Sequence, residues 1–236
     1  MESKNPALRK STFSFVGEEA GSMTMSGAIN KAGILFVILM VGAAIGWNLE
    51  NPLLMFVGAI GGLIAAMITI YKRESAPYTA PVYAFLEGLF LGSISIVYDS
   101  AHPGLAANAM TLTFGILGVM LFCYRVGLLR ATPVFTRTVV LATMGIAIVY
   151  VVDLVMSLFH MNVPFIHDTG WLGIGVSLVI SAVAAMNLIL DFDVFERAAA
   201  GRAPKYMEWY CGFSLLVTLV WIYVEMLRLL SKLSKR

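Results

Sequence analysis

The sequence predicts an all-α, polytopic membrane protein built as a bundle of seven transmembrane helices. Three observations carry this reading. Of the 236 residues, 59% are hydrophobic and 13% charged, where a soluble domain has roughly half and a quarter; mean hydropathy is +0.85. One aqueous core could not hide that much apolar surface, so the bilayer is the expected solvent. Second, apolar runs near the roughly 20 residues needed to cross a bilayer recur along the chain. Third, these runs are joined by short loops rich in helix breakers.

The polar segment 1–28, with Lys4, Arg9, Lys10, Glu18 and Glu19, lacks the short apolar core and cleavage site of a signal peptide. It reads as a cytoplasmic tail. The seven-helix domain occupies 29–231, with spans near 31–48, 52–71, 80–98, 105–124, 138–159, 171–190 and 209–230. Asn51 and Pro52, Ala76 and Pro77, His102 to Gly104, Thr132 and Pro133, residues 162–164 and residues 201–204 break the helices between them. Residues 232–236 read as a short basic tail. No separate soluble domain fits, and no internal repeat suggests an inverted-repeat transporter. No basic block with interleaved aromatics points to nucleic acid. The two cysteines, Cys123 and Cys211, lie in apolar runs and predict neither a disulfide framework nor a metal site.

Lysine and arginine predict the orientation. Lys4, Arg9, Lys10 and Lys31 lie before or at the first helix. Lys72 and Arg73 follow the second. Arg125, Arg130 and Arg137 flank the fourth–fifth loop, and Arg197, Arg202 and Lys205 follow the sixth. The intervening loops carry Glu50, Asp99, His102, His160, His167 and Asp168 instead. The N-terminus is therefore expected inside. Arg228, Lys232, Lys235 and Arg236 fall outside if the last segment crosses, against the rule. A segment that dips and returns would remove the conflict, but its length favours a full crossing.

The acids within the spans are the candidate functional residues. Glu87 is expected roughly 12 Å from the inner face, Asp153 roughly 22 Å and Glu225 roughly 24 Å, by helical rise. Asp191 and Asp193 are expected at the inner end of the sixth helix. Carboxylates are disfavoured at a helix C-terminus by the backbone dipole, and a charged side chain at a helix centre costs about 2.5–3.5 kcal/mol to insert. Such residues suggest a polar interior that binds cations or titrates. Structural roles compete with that reading. Asp193 and Arg197, at i,i+4, and Glu225 and Arg228, at i,i+3, have ion-pair spacing. Asp153 could be a lone acid at the outer interface. Glu87 precedes Gly88 and Gly92, a stretch suited to close helix packing, and could be a neutral hydrogen-bonding group. The fourteen methionines read as packing residues.

Several functions are disfavoured. The lysines lie in tails, loops or helix ends, leaving none for a retinal Schiff base. There is no His-Glu-x-x-His and no Gly-x-Ser-x-Gly, the three histidines all fall on the outer side, and no cofactor is implied. The chain does not read as an enzyme.

The seven short-looped helices, the segment 83–92 (YAFLEGLFLG) and Leu190–Asp191 closing the sixth run resemble the Bax inhibitor-1/YccA family, also called transmembrane Bax inhibitor motif proteins. The resemblance covers roughly residues 30–230. The segment 205–230, with Met207, Glu208, Trp209, Tyr210 and Leu219, Val220, Trp221, is similar to a bacterial branch, which implies the bacterial plasma (inner) membrane. The resemblance implies a pH-sensitive calcium leak with calcium as the transported ion. It implies an aspartate pair between the sixth and seventh helices and a basic latch at the end of the second. Asp191 matches the first aspartate, and Arg73 or Lys72 the latch. Thr218 stands at the second aspartate's position and cannot ionise; Asp193, Glu208 or Glu225 could substitute. Asp191 is then the inner carboxylate of a calcium or proton path shared with Glu87, Asp153 and Glu225. Asp193 pairs with Arg197 or faces the loop. An alternative is an interaction protein that modulates membrane proteases or other membrane proteins through its tail and outer surface. A weaker one is a proton-coupled transporter.

Overall fold

The computed structural model describes residues 21–49, 51–159, 163, 166 and 168–235. Most of the polar tail, residues 1–20, and Glu50, His160 and His167 lie outside the described residues. Among the described residues seven α-helices follow one another: α1 Met25–Leu49, α2 Pro52–Tyr71, α3 Ala76–Ala101, α4 Leu105–Arg125, α5 Pro133–Leu158, α6 Trp171–Ala200 and α7 Met207–Ser234. A single 3-10 turn, Arg73–Ser75, joins α2 to α3. All seven helical segments are long and apolar enough to cross a membrane.

Local chemistry sets the helix starts. The Asn51 side chain accepts from the Leu53 N–H with Pro52 in the first turn, and the Thr132 hydroxyl accepts from Phe135 N–H with Pro133 in the first turn. Both satisfy donors left orphaned at a helix start. Gly104 turns the chain into α4 with φ 84°, a left-handed conformation that glycine adopts without penalty. Asp99 holds this turn by accepting from the N–H groups of Gly104 and Ala106 at 3.0 and 3.2 Å.

α7 is the central post of the bundle, packed against α1, α3, α4 and α6. Its Leu216, Val220, Ile222, Tyr223 and Leu227 lie in the main core with Leu35, Tyr83, Leu91 and Leu188. α3 is clasped against α1. Gly42 and Gly46 of α1 meet the carbonyl oxygens of Phe85 and Leu89; Gly88 and Gly92 of α3 meet those of Leu39 and Ala43, with no space for a methyl at any of the four. Lipid tails are as apolar as side chains, so membrane helices associate by packing rather than by escape from water, and small residues permit this approach. α5 stands at the periphery, packed chiefly on α6. Most of its surface is apolar and exposed, including Val140, Leu141, Met144, Ile148 and Val151, as on a lipid-facing span.

The helices outrun the sequence-based spans. α6 continues to Ala200 rather than stopping near 190. Asp191 and Asp193 are therefore not at its C-terminus. The last turn instead holds Arg197, the sign the dipole favours there. α7 runs to Ser234, so Lys232 belongs to the bundle and not to a basic tail. The segment just before α1 is also engaged. Met23 N–H donates to Ala203 O at 2.7 Å and Lys205 N–H to Gly21 O at 2.9 Å, binding the chain entry to the α6–α7 loop.

Candidate functional site

α6 and α7 run antiparallel, and each end of their contact holds a polar cluster. At the first, Asp191 of α6 is 6% exposed. Ser214 Oγ donates to its Oδ1 at 2.5 Å and Thr218 Oγ1 to its Oδ2 at 2.6 Å. Ser214 and Thr218 are i,i+4 on α7, so one helix face presents both hydroxyls. Thr218 thus stands opposite Asp191, at the position expected for a second acid, and Ser214 is a partner the sequence reading did not name. Its signal was available in the four-residue spacing. Cys211, fully buried, lies one turn earlier on α7.

The cluster lies within the membrane half that contains the α6–α7 loop. Asp191 is nine residues from the end of α6, roughly 14 Å at the helical rise. Glu87, eleven residues into α3, is roughly 16 Å along it. Its carboxylate rests against Gly62 of α2, half-buried, with no hydrogen-bond or ion-pair partner among the described residues.

The other candidates separate from this level. Asp193 makes the ion pair with Arg197 that its spacing allows, Oδ2 to Nε at 2.7 Å. It turns away from Asp191 because i,i+2 residues do not share a helix face. Asp153 accepts the Val163 N–H at 3.0 Å, on the peripheral α5 near its connection to α6, and does not join the other acids. Glu208 is buried, but its Oε1 accepts from Thr24 N–H at 3.0 Å, Thr24 Oγ1 at 3.1 Å and Lys205 Nζ at 2.9 Å. It secures the start of α1 and is not the partner of Asp191. Arg73 makes no ion pair with Asp191 among the described residues. Its guanidinium lies over the Tyr210 ring at 5.2 Å, at the start of α7 and one turn before Ser214. Lys72 closes α2 and is exposed.

The second cluster, at the opposite end of the α6–α7 contact, holds Glu225, only 1% exposed. Its Oε1 accepts from Arg228 Nη1 at 3.0 Å and from the Tyr150 hydroxyl of α5. Arg228 Nη1 also donates to Tyr150 Oη at 2.8 Å. Lys232, 6% exposed, donates to Gly173 O at 3.0 Å and Ser177 Oγ at 2.8 Å on α6. Glu225 is therefore an ion-pair partner through Oε1, while its Oε2 is buried with no hydrogen-bond partner among the described residues. Two cations that broke the orientation rule are interior groups. The contact from Asp191 at one end to Lys232 at the other also shows that α7 spans the full bundle. Sequence reading missed Lys232, although 225, 228 and 232 share one face at i, i+3 and i+7.

Among the described residues, no three His, Cys, Asp or Glu side chains come together to hold a metal. The oxygen donors nearest to such a role are Asp191, Ser214 and Thr218. They are oxygen donors, the type hard cations take, but number only three, and each hydroxyl that donates to the carboxylate keeps lone pairs that can accept.

Among curated proteins no match is found. A family model described as Bax inhibitor 1 like matches residues 5–235. Nearly the whole chain is covered, including every helix of the bundle, and this seven-helix membrane protein belongs to the Bax inhibitor 1 like family.

Proposed function

We propose that this protein is a pH-responsive cation leak, with calcium as the conducted ion, Asp191 at its inner closure and Glu87 on its path. The observation that carries the reading is the Asp191 carboxylate, buried between α6 and α7 with both oxygens bonded to hydroxyls of α7. An ionised carboxylate only accepts hydrogen bonds, whereas a protonated one must also donate. Proton uptake would force one hydroxyl to turn away. Thr218 has an alternative in the Ser214 carbonyl at 3.3 Å. A cation reaching the carboxylate would compete with the same hydroxyls for its oxygens. Protons and cations would then act on one contact, the packing of α6 on α7. Arg73 ties the α2–α3 turn to the same stretch of α7 through Tyr210, so movement there would reach the α2–α3 pair around Glu87.

The reading has no catalytic step and needs no cofactor. The distribution of basic residues supports an N-terminus on the cytoplasmic side, and the resemblance of segment 205–230 to a bacterial branch supports a bacterial plasma membrane. The alternative as a partner of membrane proteases or other membrane proteins rests on the outer surface and on segment 1–28, most of which lies outside the described residues.

The test is calcium flux into liposomes holding the purified protein, across a pH series. The parent should exceed empty liposomes and change with pH. Asp191→Asn should flatten the pH response, Glu87→Gln should alter the rate at unchanged folding, and Thr218→Asp should move the pH midpoint toward neutral, because two touching carboxyls titrate as a unit. Flux equal to that of empty liposomes at every pH would overturn the proposal.

A further inference from the structure

α1 and α4 meet at mid-depth and part toward the end of the bundle that carries Trp47 and Gly104. Phe36 of α1 packs edge-on against Phe114 of α4, with ring centroids 5.5 Å apart. Beyond this contact a cavity of about 490 Å³ opens between α1, α3, α4 and α7, within the 300–1,000 Å³ typical of small-molecule sites. From Phe36 at its floor to Trp47 at its rim it follows α1 for roughly 16 Å of helical rise. Small residues, Ala43 and Ala44 on one wall and Ala106 and Ala107 on the other, make the space.

The lining is apolar over most of this length and polar at one end. There stand Asp99, its one charged residue, and the hydroxyls of Ser95 and Tyr223, bonded to each other at 2.6 Å. The Asp99 side chain is fixed. Its Oδ1 accepts two backbone N–H groups of the turn into α4, leaving Oδ2 for a ligand. No lysine, arginine or histidine lines the cavity. A long apolar slot with a lone carboxylate at its mouth has the polarity of an alkyl chain bearing a cationic head, and the Trp47 ring at the rim adds a π-face suited to a cation.

We propose that this cavity is a binding site for a single-chain cationic amphiphile, its alkyl chain on the Phe36–Phe114 floor and its ammonium on Asp99. An anionic head would meet Asp99 with the same sign of charge. The volume and the single slot favour one chain over a two-chain lipid. The proposal is independent of the ion path through Asp191.

The experiment uses the whole protein in lipid nanodiscs and follows quenching of tryptophan fluorescence by brominated dodecylammonium, with brominated dodecyl sulfate and brominated dodecanol as comparison probes. The ammonium probe should quench saturably, and Trp47→Phe should remove that component. Asp99→Asn, which keeps the acceptor for the α4 turn, should weaken the ammonium probe at least tenfold and bring it level with the alcohol. Ala107→Phe should abolish saturable quenching at an unchanged unfolding temperature. Ala44→Phe, on the facing wall, repeats the test if that variant does not fold. Equal quenching by the ammonium and sulfate probes in the parent, or saturable quenching that survives both cavity-filling variants, would mean partition into the bilayer and overturn the proposal.

Discussion

Replacing Thr218 with valine keeps the branched shape and removes one hydroxyl. In the parent that hydroxyl donates to Asp191 Oδ2 at 2.6 Å inside a site 6% exposed. Hydrogen bonds between neutral groups across membrane helices average only about 0.6 kcal/mol, because the unfolded chain in the membrane finds other partners. A bond to a charged acceptor contributes about 1.5–3 kcal/mol. The two magnitudes separate the possible states of Asp191. Thr218→Val should lower unfolding free energy by about 1.5–3 kcal/mol if the carboxylate is ionised. In an Asp191→Leu background the acceptor is gone, and the same change should cost under about 0.5 kcal/mol, the usual limit for unlinked sites. The assay is a double-mutant cycle on equilibrium unfolding in mixed micelles at neutral pH, with Ser214→Ala run in parallel. A coupling near 0.6 kcal/mol would mean that the carboxyl behaves as a neutral group. No coupling at all would refute the contact itself, and with it the argument that Asp191 holds α6 to α7.

Other outcomes follow from the packing. Gly92→Val should destabilise by about 1–3 kcal/mol or more as α1 and α3 are pushed apart, whereas Gly115→Ala, with nothing within 4 Å of the added methyl, should be neutral or stabilising; thermal unfolding in detergent compares them. Glu225→Leu should cost about 3–5 kcal/mol by leaving Arg228 without its acid, and adding Arg228→Met should recover most of the loss; the same unfolding measurement reads both. Asp193→Asn removes only the partly exposed pair with Arg197 and should change stability by under about 1 kcal/mol, with calcium flux close to the parent's.

The number of helices and their membrane character are properties of the sequence by itself. Apolar runs and isolated acids report the cost of placing each residue in lipid, and that cost is local. The Gly88 and Gly92 spacing likewise signalled close packing, although its partner glycines, Gly42 and Gly46, could be assigned only once α1 lay against α3. Helix ends were less legible. Apolarity marks where the bilayer ends, not where the backbone stops hydrogen bonding, so α6 runs on through Asp191 and Asp193 to Ala200. Pairing between helices was decided by the tertiary structure alone. Glu208 is a candidate partner of Asp191 along the chain but is held by Thr24 and Lys205; Lys232 reads as a tail residue yet donates to Gly173 and Ser177. A charge buried in a membrane protein must find its partner in three dimensions, and that partner lies on another helix as readily as on its own. Sequence spacing reveals the partner only when both residues share one helix, as Asp193 and Arg197 do.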